Sequence, residues 1–155
     1  MKKLENLITN LESKIQDHDL TNPGVSKGSV GWHIEHSLLT LNLIIDVLGK
    51  SNPEDYKSRF DFRRILVMTT GKIPRGRVKA PGVVQPNVNF NTETLRQHIQ
   101  LARVKMKSID TLKEGNFFTH PFLGDFKLKP ALKFLKIHTK HHLNIIDDII
   151  KSKSS

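Results

Sequence analysis

An all-α fold, a four-helix bundle with an extra short helix and a long loop between bundle helices two and three, is what the residue pattern of this 155-residue chain predicts. Three observations point there. Four stretches carry apolar residues at three- and four-residue spacing, two connections rich in proline and glycine keep no period, and no two segments alternate convincingly as paired strands. The length fits one domain, spanning residues 1–155.

The first helix is read from Leu4, Leu7, Ile8, Leu11 and Ile15, a stripe of about four turns with charged and amide residues between. It stops before TNPGVSKGS, where Pro23, Gly24 and Gly28 punctuate the chain. Ser29 suits the N-cap of a second helix that runs to about Gly49, a natural residue just past a helix end. Its polar wedge is narrow, with Glu35, Asn42 and Asp46 on one edge, so this helix should be buried on most sides and Glu35 solvated. Ser51, Asn52 and Pro53 open a short helical stretch, and DFRRILVMTT adds two or three turns. From Gly71 to Asn91 no period survives three prolines and three glycines. Pro81 and Pro86 argue against a hairpin there, and a loop of that length inside a compact domain is more often functional than idle. The third bundle helix begins near Thr92 and places Leu95, Ile99, Ala102, Met106, Ile109 and Leu112 on one face. GNFFTHPFLGDFKLKP reads as a second irregular link, and the last helix runs from about Leu128 to Lys151, ahead of a frayed KSKSS tail.

Composition narrows the function classes. Hydrophobic and charged fractions of 37% and 26% are those of an ordinary globular protein. No stretch reaches the roughly 18 to 20 apolar residues of a membrane span, and the N-terminus lacks the apolar run of an export signal. There are no cysteines, which excludes disulfides, thiolate metal sites and a cysteine nucleophile and fits a cytoplasmic protein. The formal charge of +10 raises the question of nucleic acid. The lysines are spread along the helices, however, and with one Trp and one Tyr the interleaving that stacks bases is missing. Surface lysine in excess is the preferred reading.

The eight histidines carry the chemistry. At 100° per residue, Ala131, Phe134, Leu135, His138, His142, Ile145, Ile146 and Ile149 share one arc of the last helix, opposite Lys133, Lys136, Lys140, Asp147 and Lys151. Two imidazoles one turn apart on an isoleucine stripe either find hydrogen-bond partners in the core or share an ion. A divalent ion needs at least three protein ligands. The second helix offers His33 and His36 in GWHIEHSLL, both pointing inward, and the helical geometry favours neither.

The segment SVGWHIEHSL, together with HTKHH at 138–142, resembles the metal motifs of the DinB/YfiT-like superfamily, and HPFLG at 120–124 resembles a DinB-related family of unknown function. The resemblance runs from the second helix through the last. It implies a four-helix bundle with a zinc or nickel ion on His36, His138 and His142, and a metal-dependent enzyme of transferase or hydrolase type. His33 and His141 would then be outer-sphere donors, alternative ligands or ordinary core and surface histidines, the last preferred for His141. His120 is as readily a turn residue as a site residue, and His18 and His98 read as ordinary. Three neutral ligands leave one coordination position open, for water or for an anionic or thiol co-substrate. The alternatives are a module whose ion only stabilises the bundle or a homodimer, and a basic protein associated with nucleic acid. Lys72, Arg75, Arg77 and Lys79, crowded into the long loop, form either a solvated stretch or a receptor for an anionic group near the metal.

Overall fold

The apolar stripes become five α-helices among the described residues of the computed structural model, which are 1–58, 60–76, 81–86 and 90–153. They are α1 (Lys2–Glu12), α2 (Val30–Lys50), α3 (Phe62–Thr70), α4 (Thr92–Lys107) and α5 (Leu128–Lys151). Single 3-10 turns lie at Ile15–Asp17, Pro53–Asp55, Gly82–Val84 and Ser108–Thr111. The first helix is shorter than its stripe suggests, because Ile15 reaches the core from the 3-10 turn after α1 and is 2% exposed there.

Local chemistry sets the helix ends. The Ser29 hydroxyl accepts from the Trp32 N–H at 3.1 Å and starts α2. Gly49, expected just beyond the end, lies inside the helix, and Ser51 closes it in an extended conformation. Asp61 caps α3 through the Arg64 N–H, and Gly71, at φ +64°, ends it in the left-handed region open to glycine. Asn91 and Thr94 form a reciprocal capping box at α4.

The second link corrects the strand-free expectation. Phe117–His120 (β1) and Gly124–Lys127 (β2) pair antiparallel, Phe118 opposite Phe126 and Thr119 opposite Asp125. The alternation is real but only four residues long on each side. Phe118 and Phe126 point into the core, where their rings stack 5.3 Å apart. Thr119 donates to Asp125 on the outer face, and Lys57 N–H and Arg64 bind Asp125 from the crossover segment.

The core is shared by α1, α2, α4 and α5, with Leu4, Ile8, Leu38, Leu95, Ile99 and Leu135 all fully buried. Across it, α2 runs antiparallel to α5, since His33 meets His142 and His36 meets His138. It runs parallel to α4, since Glu35 meets His98 and Asp46 meets Lys105. Two parallel neighbours cannot be joined by a tight turn. The chain must return along the whole length of α2, which is why α3 and the long loop stand between α2 and α4. Arg103 on α4 binds Glu5 and Glu12 of α1 and fixes that helix on the same core. No described helix is long and apolar enough to cross a membrane.

Candidate metal centre

The antiparallel crossing lays the first turns of α2 over the middle of α5. His36 is 5% exposed and His142 7%, while His138 is half-buried. Their rings face one another in a triangle, with centroids 5.1 Å apart for His36 and His138, 4.7 Å for His36 and His142, and 4.6 Å for His138 and His142. One coordinating nitrogen from each lies within 4.8 Å of the other two. Nitrogens sharing a tetrahedral ion at about 2.1 Å stand about 3.4 Å apart. A shared ion would draw the three nitrogens closer together than the 4.8 Å limit.

Electrostatics keep the rings in the ligating form. Burial holds His138 and His142 well below the ordinary imidazole range, and the neighbouring histidines push the same way. Burial also lowers His36, against the opposing effect of its bond to Val84. Neutral imidazole is the species that binds a metal, so no proton need be displaced at neutral pH. Three imidazoles so placed could hold a metal ion. One further observation fits as well: His138 Nδ1 is buried and has no hydrogen-bond partner in the protein. An orphaned ring nitrogen between two other histidines is the kind of buried polar atom that a bound ion or an ordered water satisfies.

Two of the rings are held from behind. The carbonyl of Val84 accepts from His36 Nδ1 at 2.7 Å, which leaves His36 Nε2 as the free nitrogen. Trp32 stacks on the same ring at 5.0 Å and 14°. His142 Nδ1 is bonded to His33 Nδ1 at 2.9 Å, and His33 Nε2 to the Ser26 hydroxyl at 2.8 Å. His33 is thus a contact of a candidate ligand and stands apart from the three-nitrogen cluster.

No protein-family model, curated protein or solved structure matches this chain.

The site therefore rests on its own residues. Glu35, expected on the solvated edge, is instead 5% exposed and bonded to His98 Nδ1 at 2.8 Å, on the face of α2 that meets α4. His98 is accordingly a buried carboxylate's partner and not an ordinary surface histidine. Neither feature was visible in the α2 sequence, because the partner lies 63 residues away. His120 closes β1, accepts from the Phe122 N–H at 3.1 Å and packs on Phe134, whose ring in turn packs on His138 at 5.8 Å. His141 sits beside His142 at 5.0 Å outside the cluster. Two described residues of the long loop touch these helices: Val84 reaches His36, and Arg75 pairs with Asp148 of α5 at 2.8 Å. Arg77 and Lys79 lie outside the described residues. A hollow of about 530 Å³ lies away from the histidines at the C-terminal end of α2, lined by Ile45, Lys50, Pro53 and Leu112 among others.

Proposed function

We propose that this chain is a four-helix metal-binding bundle of the DinB/YfiT-like kind, a metal-dependent enzyme of transferase or hydrolase type whose ion is held by His36, His138 and His142. The observation that carries the reading is the convergence of three neutral, core-facing imidazoles from two helices on one point. Zinc and nickel are the candidates that the DinB/YfiT-like resemblance implies, and an all-nitrogen donor set is compatible with both. Three protein ligands leave a coordination position open, as catalytic sites do.

A bound divalent ion would supply Lewis acidity at that position, lowering the pKa of water or holding a thiolate or carbonyl oxygen. The chain's own residues do the rest. Val84 and His33 orient two of the rings, and Trp32 and Phe134 flank them with apolar surface. We assign the co-substrate to small thiols or anions. Support comes from Arg75, which pairs at 2.8 Å with Asp148 on the helix that carries His138 and His142.

Turnover tests the catalytic half. Zinc- and nickel-loaded protein is offered electrophiles with a low-molecular-weight thiol, and separately ester and amide substrates. Activity that disappears on chelation and in His138→Ala supports an enzyme. Full metal loading with no turnover in any class supports an ion that stabilises the fold alone.

A further inference from the structure

We infer that His33 is a positioning residue for the metal centre: through its Nδ1 it selects the tautomer of His142 that presents Nε2 to the ion. The inference rests on the metal reading above and extends it to a residue outside the ligand set.

A neutral imidazole carries one proton, so each ring has one donor and one acceptor nitrogen. His142 Nδ1 and His33 Nδ1 are 2.9 Å apart, so one of them donates and the other accepts. His33 Nε2 is 2.8 Å from the Ser26 hydroxyl, which also accepts from the Gly28 N–H at 3.1 Å. These contacts allow two proton registers. In the first, His142 Nδ1–H donates to His33 Nδ1, and His33 Nε2–H donates to Ser26. In the second every proton is reversed, and His142 carries its proton on Nε2.

Only the first leaves a lone pair on His142 Nε2, the nitrogen not already engaged by His33. Binding through Nε2 therefore requires His33 to accept, and Ser26 with Gly28 anchors the far end of the chain. The arrangement places Ser26, 7 residues before His33, in control of a candidate ligand on α5. Val84 performs the same task for His36 with a backbone carbonyl, which can only accept. His142 has a switchable partner where His36 has a fixed one.

The test uses the full chain and zinc alone. Long-range ¹H–¹⁵N spectra of the zinc-loaded parent read the tautomers: His142 should be protonated at Nδ1 and ligated through Nε2, with His33 protonated at Nε2. His33→Leu removes the acceptor and should raise the zinc Kd by about 10- to 100-fold, the range of outer-sphere partners of metal-bound histidines. His33→Asn places an acceptor oxygen where Nδ1 stood and should recover most of that loss. Ser26→Ala should weaken binding several-fold and covers the case in which His33→Leu does not fold. Ligation of His142 through Nδ1, or His33→Leu or Ser26→Ala binding zinc as the parent does, overturns the role of His33 while leaving the three-histidine site standing. A parent that binds no zinc overturns both.

Discussion

The carbonyl oxygen of Val84 lies 2.7 Å from His36 Nδ1, so a loop residue 48 positions downstream fixes the orientation of a candidate metal ligand. Val84 is 5% exposed and anchors the loop by its side chain, whereas Val83 beside it is 76% exposed. Val84→Gly should loosen the loop and raise the metal Kd by about tenfold, in the range for lost outer-sphere contacts. Val83→Gly should leave affinity unchanged. Isothermal titration of both variants with zinc checks the pair; equal affinities would show that the loop does not orient His36.

Glu35 and His98 predict an asymmetry in stability. Glu35 is buried and His98 partly exposed, so removing the histidine strands a carboxylate in the core, whereas removing the carboxylate leaves an imidazole that water can reach. His98→Ala should cost about 2–3 kcal/mol and Glu35→Ala less. Neither should change metal affinity, since this pair faces α4. Urea denaturation measures the order; the reverse order would contradict the burial argument.

Much of the site was legible as periodicity. His138 and His142 fall on the buried stripe of α5 because a helix repeats every 3.6 residues, and Ser29 announced α2 by its capping chemistry. What was not legible lies in tertiary pairing. A backbone acceptor such as the Val84 carbonyl has no side-chain signature. His33 and Glu35 owe their roles to partners 109 and 63 residues away. The hairpin alternates over only four residues per strand, with Pro121 at its turn, too short a signal to separate from a loop.

Acid should destabilise the fold through the same histidines. Burial first, with neighbouring charges where present, holds His33 down to about 3 and His120 and His141 to about 4. The folded pKa values are below the unfolded one, so the unfolded chain binds more protons at intermediate pH. The contribution is present above about pH 6.5 and is lost as pH falls toward 4 and then 3, with a slope of about 1.4 kcal/mol per pH unit for each histidine titrating only in the unfolded state. Melting temperatures of metal-free protein from pH 7.5 to 4.5 should fall continuously. A flat profile would mean that the rings are not buried in solution.

Arg75 gives a prediction about ligands. Its pair with Asp148 is half-exposed and contributes little to stability, so Arg75→Ala should leave the melting temperature and the metal content nearly unchanged. It should weaken inhibition or binding by inorganic phosphate and small carboxylates, more at low salt than at high. Phosphate binding equal to that of the parent at low salt would remove Arg75 from the site.

Elemental analysis of untagged protein, prepared without an immobilised-nickel column, tests the three-histidine centre most directly. The parent should carry one zinc or nickel ion per chain. His36→Ala, His138→Ala and His142→Ala should each lose it, and His18→Ala should keep it. A metal-free parent that also fails to take up zinc or nickel on titration would contradict the account, as would a stoichiometric ion that persists in the His138→Ala/His142→Ala double variant.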